Sequence, residues 1–171
     1  SCGVRVVRWA CEVPGIRGVV AGDINPRSVL LANVNAALNG VLDKIKIFRV
    51  DANLLLDTHL SQGSRFDVVD IDPFGSPVHF IDAAIRVLKK EGGLLCVTAT
   101  DMQPLCGIHQ EACLRKYGGM PLRTEYCHEI AVRLLIGSVS TIASRYDVRI
   151  KVLFSHSSDH YVRTYLQVSK S

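Results

Sequence analysis

Apolar residues along this chain fall into two patterns that take turns. Solid runs bounded by Gly, Pro or acidic residues read as strands buried in a parallel sheet, and stretches with a period near 3.6 read as helices packed on it. Gly18–Asp23, Phe66–Ile71 and Leu94–Ala99 are solid runs, and Lys44–Val50 alternates into a further strand. Helices are expected from Gly3 (Val6, Val7, Trp9, Ala10, Val13), over Pro26–Asn39 (Val29, Leu30, Ala32, Asn33, Ala36, Ala37) and over Leu54–Leu60. Another is expected over Val78–Lys90 (Phe80, Ile81, Ala84, Ile85, Leu88), ended by Glu91-Gly92-Gly93. Strand–helix alternation implies a parallel sheet with right-handed crossovers. The pattern breaks at Pro104–Pro121, which is polar. A long helix then runs from Arg123 to about Arg145, and Arg149–Phe154 and Tyr161–Val168 are two closing strands. The connector Ser155–His160 is short, so these two pair as an antiparallel hairpin. Ser1-Cys2-Gly3 looks like the Gly turn after the first strand of a nucleotide-binding α/β unit, and that first strand is expected to be missing.

Composition narrows the class. With 171 residues, 48% hydrophobic and 21% charged, the chain is expected to be one soluble globular domain. No apolar stretch approaches the ~20 residues that span a bilayer, and no leader pattern is visible. A net charge of +4 permits a polyanionic partner without requiring one. The six cysteines, at 2, 11, 96, 106, 113 and 127, form no C-x-x-C pair. They are expected to be reduced thiols of an intracellular protein rather than zinc ligands.

The candidate chemistry centres on Asp70-Ile71-Asp72-Pro73-Phe74-Gly75-Ser76-Pro77. Open α/β sheets bind ligands beyond the carboxyl ends of their strands, where this turn falls. Asp72, stiff Pro73 and Phe74 match the arrangement used to methylate exocyclic amino groups of bases. The carboxylate and a neighbouring carbonyl accept the amine hydrogens, and the ring stacks on the base for roughly 1–3 kcal/mol. The plain alternative is a strand-ending turn with an Asp cap.

Asp23 closes a strand and suits the two ribose hydroxyls of an adenosine, or the cap of the helix that follows. Asp51 suits an adenine amino group, with Ala52 small enough to admit the ring; equally, Asp51 caps the next helix. Arg115-Lys116 beside Tyr117 suits a loop touching RNA, or a helix closed by Gly118 with solvated cations. His128-Glu129 fails the H-E-x-x-H pattern because Val132 holds the second His position, so no metal is expected. There is no G-x-G-x-x-G, and a terminal hairpin on a doubly wound sheet is typical of S-adenosylmethionine-dependent methyltransferases rather than dehydrogenases.

Several long segments in order carry a family resemblance. Asp70–Pro77, Thr98-Ala99-Thr100-Asp101, Pro104-Leu105-Cys106-Gly107, Cys113–Tyr117, Pro121-Leu122-Arg123, Cys127-His128-Glu129 and Asp159–Arg163 together resemble the tRNA (guanine-N2)-dimethyltransferases that modify guanine 26. The resemblance covers essentially the whole chain. It implies an α/β class I methyltransferase fold, Rossmann-like and doubly wound, ending in an antiparallel hairpin. It also implies that residues 1–171 are a catalytic domain truncated before its first strand, with the family's C-terminal domain absent. Under it, Gly3, Arg5, Asp23, Asp51 and Ala52 contact S-adenosyl-L-methionine, and Asp72, Pro73 and Phe74 are catalytic. Gly75, Asp101, Arg115, Lys116, Tyr117 and Arg123 face the tRNA. Membrane and metal are not expected. A catalytically silent tRNA-binding module of the same fold is the alternative.

Overall fold

The computed structural model describes residues 1–171, which form two compact units, Ser1–Thr58 and His59–Ser171.

The first unit contains α1 (Val4–Glu12), β1 (Val19–Asp23), α2 (Pro26–Leu38), β2 (Ile45–Arg49) and most of α3 (Ala52–Ser61). β1 and β2 are parallel, with Asp23 opposite Arg49. Val7, Ala10, Val19, Ala36, Val41 and Ile45 form the core, flanked by Val6, Trp9, Ile16 and Ile47. Asn25 caps α2, its side-chain oxygen accepting from the Arg27 N–H at 2.9 Å, and Pro26 fills the first helical position. Two expectations shift. α1 stops at Glu12, and Val13 turns extended and exposed. α2 buries only Ala32 and Ala36, while Leu30 is exposed. The reason is close approach: Gly3 has φ +78°, and a Cβ there would lie 2.7 Å from the Ala32 Cβ. Only small side chains fit that face of α2.

The second unit contains β3 (Val68–Ile71), α4 (Val78–Val87), β4 (Glu91–Ala99), α5 (Met102–Leu105), α6 (Gln110–Tyr117), α7 (Cys127–Ser144), β5 (Val148–Ser158) and β6 (Tyr161–Lys170). Its sheet runs β3-β4-β6-β5, parallel between β3 and β4 and antiparallel thereafter. β4 is therefore flanked on both sides, and Leu95, Val97, Ile81, Ile85, Leu135, Val139 and Leu166 are fully buried. Fully burying each such large aliphatic side chain contributes roughly 1.5–3 kcal/mol.

The sequence expectations need corrections here. Phe66 is not in β3; it forms a lone parallel bridge with Leu88. α4 ends at Val87, and Glu91-Gly92-Gly93, expected to be the end of that helix, opens β4 through an irregularity in register opposite β6. Of the two readings of Pro104–Pro121, the helix closed by Gly118 is the one found: the segment forms α5 and α6, and Gly118 ends α6 in the left-handed conformation. α7 starts at Cys127 rather than Arg123. The hairpin also outgrows its expected connector. Ser155–Ser158 are strand residues paired with Tyr161–Thr164, so only Asp159 and His160 turn the chain, Asp159 at φ 44°. A run of Ser and His looks like a loop, but the backbone ladder satisfies it.

Candidate active site

β3 delivers the chain to the turn, and the turn is pinned from behind. The Gly75 N–H donates to Thr100 Oγ1 at 2.7 Å, and the Thr100 N–H donates to the Gly75 carbonyl at 3.0 Å. Because β3 and β4 are parallel and adjacent, their carboxyl ends fall side by side, and these two bonds lock one to the other. Ser76 and Pro77 are buried, so the base of the turn is fixed. Its tip is open: Asp72 is exposed and Phe74 is 102% exposed. An aromatic ring with no packing partner does nothing for the core and is available for a flat ligand.

Asp101, at the end of β4, does not face solvent as a simple tRNA contact. Its side chain is 10% exposed, receives Lys116 Nζ at 2.9 Å, and accepts from the Tyr117 hydroxyl at 2.5 Å. Tyr117 is buried; burial first, then its bond to Asp101, pushes its pKa far above the ordinary tyrosine value. Tyr117 also bonds to Ser76. Burial and the Asp101 charge likewise push the Cys113 thiol up to about 11. Asp101, Lys116, Tyr117 and Ser76 thus form one network that ties α6 to the turn. Arg115 is 71% exposed and pairs loosely with Glu111 at 3.7 Å, and Arg123 is exposed. Lys116 is exposed as well, but it is paired with Asp101.

The sequence reading missed the support beneath the turn. Arg163 on β6 reaches Asp70 Oδ2 at 2.9 Å, Thr98 Oγ1 at 2.5 Å and the Tyr165 hydroxyl at 2.9 Å. Burial disfavours its cation, but Asp70 and Tyr165 outweigh that, and its pKa is raised. Asp70 stands two residues before Asp72, so this buried pair fixes the strand end that carries the candidate catalytic carboxylate. Only the fold brings Arg163 to Asp70, and spacing along the chain gives no sign of it.

Gly107 holds α5 against the segment before α7. It has φ +87°, and a Cβ there would lie 2.9 Å from the Arg123 nitrogen. Gly107→Ala is expected to destabilise the fold by about 1–3 kcal/mol, through left-handed strain and backbone crowding together. A lowered thermal melting midpoint checks this. The adjacent Cys106 lies close to Cys127 and His128, with all three donor atoms within 4.8 Å of one another.

In the first unit, Gly3 is the left-handed N-cap of α1, and Arg5 is exposed on that helix. Asp23 ends β1 but does not cap α2, a role that Asn25 takes. Asp23 Oδ1 accepts from the Asn25 N–H at 2.8 Å. Asp51 does cap α3, its Oδ1 accepting from the Asn53 and Leu54 N–H groups at 2.9 and 3.2 Å. Ala52 is the first residue of α3.

The whole chain, residues 1–171, matches the model of the N2,N2-dimethylguanosine tRNA methyltransferases. The chain belongs to this family. It is 43% identical over 168 residues to the tRNA (guanine(26)-N(2))-dimethyltransferase of Methanosphaera stadtmanae, which covers 98% of this chain and 42% of that protein. It is 45% identical over 168 residues to the human protein of the same name, covering 98% of this chain and 25% of the relative. Trm1 from Pyrococcus horikoshii, solved with S-adenosyl-L-methionine, superposes with a TM-score of 0.90 at 38% identity, over 99% of this chain and 48% of that one. A ribosomal protein L11 methylase at 14% identity and TM-score 0.60 shares the fold. The fold is that of the class I methyltransferases, and this N2,N2-dimethylguanosine methyltransferase family member spans less than half the length of these family relatives.

Proposed function

We propose that this chain transfers methyl groups from S-adenosyl-L-methionine to the exocyclic N2 of a guanine in tRNA, G26, giving N2-methyl- and N2,N2-dimethylguanosine. The observation that carries the proposal is the turn itself. Asp72 and Phe74 project into solvent from a base held by Thr100 and the buried Ser76, in a chain of this family.

The donor set of the first unit fits a nucleoside. Asp23 and Asp51 stand at or just past the carboxyl ends of the paired parallel strands β1 and β2. Between them they offer acceptors for ribose hydroxyls and an adenine amine. Ala52 leaves room for a ring, while Gly3 and Arg5 open α1 beside them in sequence order. When bound, S-adenosyl-L-methionine supplies a methyl group already activated on a sulfonium, so the protein's task is positioning and proton removal.

Guanine N2 is a poor nucleophile because its lone pair is delocalised into the ring. Asp72 accepts hydrogen bonds from N2–H and takes the proton as the C–N bond forms. The carbonyl near Pro73 orients the amine, and Phe74 stacks on the base. Holding reactants in line contributes roughly 7–11 kcal/mol in well-oriented systems. A paired guanine must first be turned out of its stack, at a cost of a few kcal/mol. Arg115 and Arg123 contact tRNA phosphate, and Asp101, Lys116 and Tyr117 hold Gly75 and its neighbours in register for the base. Residues 1–171 act as one catalytic domain of an intracellular enzyme; no helix is long and apolar enough to cross a membrane.

Labelled S-adenosyl-L-methionine with an unmodified tRNA transcript, and a G26→A transcript as control, tests the reading. Label in N2-methylated guanosine that is lost with the control supports it. Tight tRNA binding without label, from a folded sample that binds the cofactor, would instead mark a silent binding module. Phe74→Ala is expected to lower kcat/KM through loss of stacking worth about 1–3 kcal/mol. Its melting temperature should not change, because the ring touches no core. A matching fall in stability would show that Phe74 is structural.

A further inference from the structure

We propose that Cys106, Cys127 and His128 form a transition-metal site, best suited to zinc, that clips the end of α5 to the start of α7. Their donor atoms, two sulfurs and an imidazole nitrogen, all lie within 4.8 Å of one another. In a tetrahedral zinc site with Zn–S near 2.3 Å and Zn–N near 2.0 Å, neighbouring donors stand about 3.5–3.8 Å apart. The three groups therefore need to close by at most about 1.3 Å, a rotamer adjustment rather than a refolding. Two soft sulfurs with an imidazole select zinc or a similar thiophilic ion over magnesium or calcium. Both cysteines are partly buried and His128 is exposed, so the cluster is reachable from solvent. Ser157 Oγ lies 3.4 Å from His128 Nδ1, an outer contact of the kind that orients a metal-bound histidine. Three protein ligands leave a fourth position for water. Binding expels one proton from each thiol to solvent, and no electron transfer is involved.

The sequence reading excluded a metal because it tested His128 against H-E-x-x-H and the cysteines against C-x-x-C. The site follows neither spacing. Cys106 ends one helix, Cys127 and His128 begin another, and the fold brings them together. The loop closed by the clip, residues 107–126, contains α6 with Lys116 and Tyr117, which hold Asp101. A cation here would thus hold the network behind the methylation turn without entering the reaction. Every residue of the clip lies outside the set that contacts base or cofactor, so it can fail independently of the proposed activity.

The test uses the 171-residue chain, reduced and stripped of metal with a chelator, and titrated with Co²⁺. One equivalent should bind with thiolate-to-cobalt charge-transfer bands and the intense visible bands of tetrahedral cobalt, and Zn²⁺ should abolish both. Cys106→Ser and Cys127→Ser should each weaken binding by at least the roughly 10–100-fold that loss of a mere outer partner brings. Cys11→Ser, in the other unit, should leave it unchanged. On the unmutated chain, Zn²⁺ should shield Cys106 and Cys127, but not Cys11, from alkylation mapped by mass, and should slow amide exchange in α6. This arm decides the matter even if the serine variants fail to fold. No cobalt spectrum from the reduced, folded chain overturns the proposal, as do bands that survive in a Cys106→Ser/Cys127→Ser variant. A Cys106–Cys127 disulfide in the isolated chain, with no metal uptake after reduction, also overturns it.

Discussion

Asp72→Ala abolishes most of the methyl transfer while the protein folds and binds S-adenosyl-L-methionine as before; that is the expected result. Asp72 sits on the open tip of the turn, so its truncation removes no core packing. A positioned general base contributes about 10²–10⁴-fold, and the fall in kcat/KM should lie in that range. Asp72→Asn separates the two duties of the carboxylate. The amide still accepts a hydrogen bond from N2–H but does not take the proton, so guanine binding should outlast turnover. Single-turnover kinetics with labelled cofactor, beside equilibrium cofactor binding, provide the check. Equal losses in turnover and cofactor affinity would place Asp72 at the nucleoside instead of the base, and wild-type turnover would remove it from the chemistry.

The second large effect concerns stability. Asp70→Ala strands the Arg163 guanidinium, whose side chain is 9% exposed, without its carboxylate. Breaking a buried ion pair from one side costs about 3–5 kcal/mol. Against a typical domain stability of about 5–15 kcal/mol, that is enough to lower the melting midpoint severely. The paired replacement Asp70→Leu with Arg163→Met should recover most of the loss, because two apolar groups leave no buried charge behind. Denaturant melts of the single and double variants measure both outcomes. The double variant serves a further purpose. If the pair fixes the strand end before Asp72, methyl transfer should stay impaired even where stability returns.

What could be read from the chain follows from the range of the interactions. The strands entering the site and the terminal hairpin were legible because runs of Val, Leu and Ile bounded by Gly or Pro are local signals. So was the turn, where Asp72, Pro73, Phe74 and Gly75 are contiguous. The competing interpretations of Asp23 and Asp51 were not separable by composition. Asn25 takes the cap expected as an alternative role of Asp23, whereas Asp51 does cap its helix. The segment after β4 was obscured because α5 and α6 are short and polar. Their buried side, with Leu105, Cys113 and Tyr117, is too sparse to show a period. Arg163–Asp70 and Cys106–Cys127–His128 are contacts made only by the assembled fold.

A register irregularity in β5, between Val152 and Phe154, bears on how this chain behaves in company. β5 is the last strand of its sheet, and its outer edge offers unpaired backbone groups beside the exposed apolar residues Val152, Leu153 and Phe154. A straight edge of that kind is a template for a strand from another molecule, and the road to aggregates. The register slips between Val152 and Phe154, so the bulge kinks the ladder within the stickiest stretch, and the cations Arg149 and Lys151 stand just before it. An incoming strand would meet a broken rhythm of donors and acceptors there and a local positive charge. The bulge and the two cations before it thus keep the hairpin's free border from recruiting neighbours.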